Sequence, residues 1–169
     1  MEQLSTTNSN TNAANEVIFG ENRGIVETFQ YIVIRLGEEQ YGIDIRYIDN
    51  IVRMQSITRI PKMPNYLRGV INLRGEVIPV ISLRLKMDLP EDEITRVTRI
   101  IIIKTETEGN TGVLVDEVRE VVTLSEDEIE RVSRESKDGK TNFINGVGKH
   151  NNELISLLDL SSIALEENA

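Results

Sequence analysis

The chain has 169 residues, no cysteine, one histidine and a net charge of −9. That length supports one domain or two very small ones and can bury roughly 70% of the unfolded surface. The composition excludes disulfides, thiolate metal sites, a cysteine nucleophile and a histidine-rich metal centre. The negative charge argues against non-specific nucleic-acid binding and against docking on an anionic membrane.

Residues 1–25 are rich in Asn, Thr and Ser, a composition that buries too little surface to offset its ordering entropy, so they read as a disordered tail. From Thr28 to Ile45, apolar and polar residues alternate on either side of Gly37-Glu38-Glu39, as in two strands joined by a tight turn. Ile45, Ile48, Ile51 and Val52 then recur at steps of three or four, which predicts one or two helical turns. Pro61 and Pro64 punctuate a loop. GVINL and EVIPVISL form a hairpin around Arg74-Gly75. Pro79 cannot donate a ladder hydrogen bond, so its strand is expected to lie at an edge or bulge there. The run Ile100-Ile101-Ile102-Ile103 is far shorter than the roughly 20 apolar residues of a membrane span, and the N-terminus lacks the pattern of a secretory signal. Ser125 and Glu128 fit a capping box opening a short helix through Ile129 and Val132.

The chain also repeats itself. At an offset of 77, NYLRGVINLRGEVIPVISL (65–83) aligns without a gap on NFINGVGKHNNELISLLDL (142–160). At an offset of 70, YGIDIRYIDNIV (41–52) aligns on TGVLVDEVREVV (111–122), and the strand from Tyr31 to Ile34 matches the isoleucine run. Glycines and apolar positions agree in both blocks, as a shared backbone requires. Short, evenly spaced strands favour small closed barrels. The ordered chain therefore reads as mainly β: two copies of one β-rich unit of about 70 residues, each a small barrel, with a few short helices. The expected boundaries are about 26–87 for the first barrel and 88–165 for the second, in a domain of 26–169.

Catalytic chemistry is hard to find. His150 aligns with Leu73 of the other copy and has no evident partner; Glu91-Asp92-Glu93 and Glu126-Asp127-Glu128 lack the spacing of a calcium loop. Phosphate-binding and nucleophile-elbow motifs are absent, and Gly109-Asn110-Thr111-Gly112 reads as a strand turn. Seven scattered aromatics provide no stacking platform for single-stranded nucleic acid. Residues 46–86 carry eight basic and two acidic side chains, whereas 88–138 carry seven and fifteen; such a contrast can orient a protein partner. Arg74, at a hairpin tip, is poorly explained by packing and suits an interface. The residues alone leave open an adaptor, an enzyme using a cleft between the barrels, or a double barrel that binds nucleic acid through the basic segment.

The block YGIDIRYIDNIVRMQSITRIPKMPNYLRGVINLRGEVIPVISLRLKM resembles the core of CheW, the bacterial chemotaxis coupling family, and GVLVDEVREVVTLSEDEI with NFINGVGKHNNELISLLDL fits the same family. The likeness covers about residues 26–165. It implies two pseudo-symmetric five-stranded, SH3-like β-barrels with a groove between them, and a non-catalytic cytoplasmic adaptor without cofactor or metal. Its implied partners are the signalling tips of methyl-accepting chemoreceptors and the regulatory domain of the histidine kinase CheA. It would be recruited to membrane-anchored receptor arrays by protein contacts, without inserting in the membrane. The family's receptor-facing positions fall on Ile48, Ile51, Gly69 and Arg74, and on Gly112, Val118 and Val121. A ring contact with the kinase falls on Glu130, Arg131, Arg134 and Glu135. Asn50 stands where the family often has an acid. The length of the chain leaves no room for the receiver domain of CheV or the catalytic domains of CheA.

Overall fold

In the computed structural model, residues 16–18, 25–105, 109–132 and 143–163 are described. Twelve strands occur among them: β1 (Glu16–Ile18), β2 (Ile25–Leu36), β3 (Glu39–Asp44), β4 (Ile48–Arg53), β5 (Leu67–Leu73), β6 (Glu76–Ser82), β7 (Arg99–Thr105), β8 (Gly109–Val115), β9 (Glu117–Ser125), β10 (Ile129–Arg131), β11 (Ile144–His150) and β12 (Glu153–Leu158). Two four-residue helices, α1 (Leu83–Lys86) and α2 (Leu160–Ile163), follow β6 and β12.

The strands form two barrel-like sheets. The first runs β1-β2-β3-β12-β11-β10, with β9 on the other side of β2. A single 3-10 turn, Glu126–Glu128, carries β9 into β10, so the two ends of this sheet are one continuous segment. The second sheet runs β4-β7-β8-β6-β5. It is closed by Thr58, which exchanges two 2.8 Å backbone hydrogen bonds with Val70 of β5.

Each sheet draws on both repeats. β2 and β3 of the first repeat join β9–β12 of the second, while β7 and β8 of the second join β4–β6 of the first. The expected barrel boundaries, 26–87 and 88–165, are thereby corrected, because the repeats exchange their leading hairpins. The parallel ladders β3–β12 and β6–β8 stitch repeat to repeat. The chain passes between barrels at two equivalent points, the 3-10 turn Ile45–Tyr47 and Asp116.

The exchange explains the unbroken apolar runs. Along β7, Ile100 and Ile102 fill their own barrel, whereas Ile101 and Ile103 enter a core shared by both sheets. Along β2, Tyr31 and Val33 point inward, while Ile32 and Ile34 join the same shared core. Strands covered on both faces lose polar alternation.

Two further expectations change. The helical turns predicted over 45–52 shrink to one 3-10 turn, and Ile48–Arg53 is a strand. A register shift between Ile48 and Asn50 against β7 leaves Asp49 as the extra residue of a bulge, and such an insertion converts a period of two into an apparent period of three. β-branched Ile and Val then favour the strand. The capping box at Ser125 is present, Glu128 Oε1 accepting from the Ser125 N–H at 2.8 Å and its hydroxyl at 3.0 Å, but it opens only one 3-10 turn before β10. Within the expected tail, Glu16–Ile18 pairs with the start of β2, its backbone taking up edge hydrogen bonds that β2 offers; the remainder of 1–24 lies outside the described residues. Pro79 pairs with Val70 on one side, and β8 joins β6 only from Val80 onward; locally, Pro79 is on an edge.

Candidate functional site

The equivalent strands β4 and β9 carry the first group of candidate residues. Ile48 pairs with Ile103 and Val118 with Ile34, and both are half-buried against the shared core. Ile51 and Val121 are 37% and 55% exposed. Between Val33 and Ile34 the β2–β9 register also shifts, at Arg119, which is the counterpart of Asp49. The two bulges turn Ile51 and Val121 outward while their neighbours Val52 and Val122 face the barrel interiors. The expectation that Ile48 with Ile51, and Val118 with Val121, each line one face of a helical turn is therefore corrected: one member of each pair is packed and the other is presented. The expected groove between the barrels is filled at this level by the shared apolar core.

Arg74 is exposed at the tip of the β5–β6 hairpin. Its φ of 54° and that of 85° at Gly75 make a two-residue turn with both central residues left-handed. The Asn72 side chain accepts the Gly75 N–H at 3.0 Å. The equivalent turn of the second repeat uses Asn151 and Asn152, at φ 50° and 65°. Asn is a common residue for this conformation and Arg is not, so packing and turn chemistry give no reason for Arg74.

Gly69 and Gly112 are buried and offer no surface to a partner. A Cβ on Gly69, whose φ is +142°, would sit 2.1 Å from the Thr58 carbonyl oxygen. One on Gly112 would sit 2.8 Å from Ile100 Cγ2. Their task is to let strands approach.

Glu130 and Arg131 are exposed on β10; Arg131 stacks over the Phe29 ring at 5.6 Å and reaches Glu126 at 3.4 Å. Arg134 and Glu135 lie outside the described residues. His150 ends β11 next to the Asn151-Asn152 turn. Among the described residues no group of three or more His, Cys, Asp or Glu could hold a metal, and no helix is long and apolar enough to cross a membrane.

The strongest electrostatic feature was not visible in the sequence pattern. At the Asp116 crossover, Arg84 of α1 grips both carboxylate oxygens at 2.8 and 2.6 Å. The Gly37 N–H donates to the same carboxylate at 2.8 Å, and Arg35 stands 3.8 Å away while bonding Glu117 at 2.9 Å. Burial pushes the Asp116 carboxyl up, but the Arg84 hydrogen bonds, the Gly37 amide and the nearby guanidinium charges outweigh it and hold the group below its ordinary value. Sequence reasoning also missed the exposed Tyr47, Ile60, Met63, Val77 and Leu154. The repeat carried a signal for two of them, since Val77 and Leu154 are equivalent at the offset of 77.

A family model described as the CheW-like domain matches residues 30–167. Chemotaxis protein CheW of Bacillus subtilis is 37% identical over 138 residues, covering 82% of this chain and 88% of its own. Chemotaxis protein CheW of Helicobacter pylori is 35% identical over 137 residues, covering 81% and 82%. The crystal structure of the scaffolding protein TtCheW from Thermoanaerobacter tengcongensis superimposes with a TM-score of 0.71 at 34% identity, over 78% of this chain and 88% of that one. With its two interleaved barrels and this similarity along nearly all of the described residues, the chain belongs to the CheW family of chemotaxis scaffold proteins.

Proposed function

We propose that the protein is a non-catalytic, cytoplasmic adaptor that couples the signalling tips of chemoreceptors to the histidine kinase CheA. The observation that carries this reading is the pair Ile51 and Val121, both turned outward by equivalent bulges and exposed at 37% and 55%, with Arg74 on the hairpin tip of the same fold. Apolar side chains at matching positions on two fixed barrels suit the apolar stripe of a helical hairpin. Ile48 and Val118 support the site from beneath, and Gly69 and Gly112 shape its strands. Exposed Ile60 and Met63, flanked by Arg59 and Lys62, suit a contact with the kinase regulatory domain. Glu130 and Arg131 of β10, with Arg134 and Glu135 beyond it, are assigned to the ring contact.

The test is a pull-down with a receptor signalling hairpin and the kinase regulatory domain. Val121→Asn and Ile51→Asn are expected to fold normally and to keep the kinase but lose the receptor. Ile48→Asn and Val118→Asn are expected to lose about 2–3 kcal/mol of stability, because each places an amide against the apolar core. Equal melting losses for all four would return them to the core and remove the site.

Arg74→Ala is expected to reduce receptor-coupled kinase activation while stability stays within about 0.5 kcal/mol. Arg74→Asn is expected to melt no lower than wild type, since Asn accepts the left-handed backbone more readily. A variant that keeps full coupling would strip Arg74 of its role.

A further inference from the structure

The two crossovers between the barrels occupy equivalent places in the two repeats and differ in charge. Asp116 matches Arg46 at the offset of 70, and Glu117 matches Tyr47. Arg84 on α1 matches Ser161 on α2 at the offset of 77. Arg35 pairs with Gln40 across the β2–β3 ladder and Lys104 with Asn110 across β7–β8, so these two basic residues also share one place. At the Asp116 crossover, two arginines meet two carboxylates and the junction is closed. At the second, Ile45–Tyr47, the equivalent positions carry Arg46 and Tyr47 in place of the two acids, Ser161 in place of the clamping arginine and Lys104 in place of Arg35.

An open cleft of about 530 Å³ lies at this second crossover, lined in part by Phe29, Arg46, Tyr47, Lys104, Leu160 and Ser161. Its own acids have other work. Asp44 holds Arg46 through three side-chain contacts of 2.7–3.1 Å and accepts the Arg46 N–H. Asp159 caps α2, accepting from the Ser161 N–H at 3.1 Å and its hydroxyl at 2.6 Å. Among the described residues no acid pairs with Lys104. The Arg46 guanidinium, 67% exposed, lies over the rings of Phe29 and Tyr47 at 6.0 and 5.9 Å, so it is held in place with its outer edge free to donate. The volume falls in the range of about 300–1,000 Å³ typical of specific pockets, and apolar walls alternate with fixed cations.

We propose that this open crossover binds an extended acidic segment of a partner protein, its carboxylates taking against Lys104 and Arg46 the place that Asp116 and Glu117 take against Arg35 on the opposite side. The closed junction supplies the template: the segment there is Val115-Asp116-Glu117-Val118, an acidic pair with apolar flanks. A peptide fits better than a bare anion because the cleft offers aromatic and aliphatic walls beside the cations. Arg46 brings its free outer edge and Lys104 its ammonium, one from the crossover and one from β7, so a single carboxylate can bridge elements that the missing ion pair leaves unlinked.

The test uses the full chain and the acetylated, amidated peptide Val-Asp-Glu-Val, followed by backbone amide shifts, and needs neither receptor nor kinase. Saturable shifts are expected around Arg46, Lys104 and Ser161, weakening at high salt. Lys104→Glu, at an exposed position, is expected to weaken binding by about tenfold or more. The double variant Arg46→Asp with Ser161→Arg rebuilds the closed junction and is expected to fold and to bind no peptide. The isosteric peptide Val-Asn-Gln-Val and free acetate serve as controls. The proposal is overturned by the absence of saturable shifts at those amides, by equal binding of the amide peptide or acetate, or by binding that persists in Lys104→Glu.

Discussion

Gly69→Ala is expected to remove about 3–5 kcal/mol of stability, which for a chain of this size lowers the melting temperature by about 10 °C or more. A methyl group at this position would lie 2.1 Å from the Thr58 oxygen, 2.8 Å from the Thr58 carbonyl carbon and 2.8 Å from Ile57 Cγ2. The first two are backbone atoms and cannot swing aside. Relief requires Thr58 to withdraw, and withdrawal breaks the two hydrogen bonds with Val70 that close the second barrel. The φ of +142° adds strain for any residue with a Cβ. Gly37 is the control: its φ is +62°, but a Cβ there meets nothing within 4 Å. Gly37→Ala is therefore expected to cost only about 1 kcal/mol, the left-handed penalty alone. Denaturant melts of the two variants decide the matter, and equal losses would mean that closure through Thr58 contributes little.

Asp116→Asn is expected to cost about 2–3 kcal/mol at neutral pH. That lies below the loss for a fully buried pair, because the Arg84 and Asp116 side chains remain 16% and 11% exposed. The substitution leaves Arg84 with a neutral amide oxygen and the Pro90 carbonyl, and Arg35 with Glu117 and the Gly37 carbonyl. The effect depends on pH with a definite sign. The folded Asp116 carboxyl lies below its ordinary value, so its contribution is present above the unfolded value of about 3.9 and disappears as the pH falls through the folded one. Asp92 acts in the opposite sense, since burial raises it despite the Ser82 hydroxyl that donates to it. Comparing wild type with Asp116→Asn isolates the first term. The stability gap between them is expected to be constant from neutral pH to about pH 5, and to narrow below about pH 4. A gap that stays constant into acid would show that the ion network does not hold the crossover.

The hairpins were legible because turn chemistry is local. Gly37, Arg74-Gly75 and Asn151-Asn152 all adopt positive φ, and the flanking alternation sets the strands. The internal repeat was legible because glycines and apolar positions survive wherever strands approach closely, as at Gly42 and Gly112 beside their parallel neighbours. What stayed hidden was non-local. The exchange of hairpins between repeats leaves no mark on hydropathy, since Ile32 and Ile101 are equally apolar whichever barrel they join. The bulges at Asp49 and Arg119 imitated helical spacing, so Ile48 and Ile51 were assigned to one face although they sit on different ones. Gly69 and Gly112 were legible as important positions but not as buried ones. Arg74 stands on the hairpin tip where the sequence pattern places it, and its left-handed backbone adds a second reason that packing does not account for it.

The exchanged hairpins have a mechanical consequence. Two barrels joined by an ordinary linker would swing about it, and any surface spanning both would blur. Here, a hinge between the barrels would have to act at the two crossovers, one of them bolted by Asp116 to Arg84 and Arg35, with the apolar core common to both sheets resisting the motion. Neither barrel can tilt without pulling apart side chains of that common core. The distance from Ile51 to Val121 is thereby set as a rigid gauge rather than an average over postures. For a protein whose relatives include a scaffold, such stiffness means that the spacing of one contact is transmitted unchanged to the next.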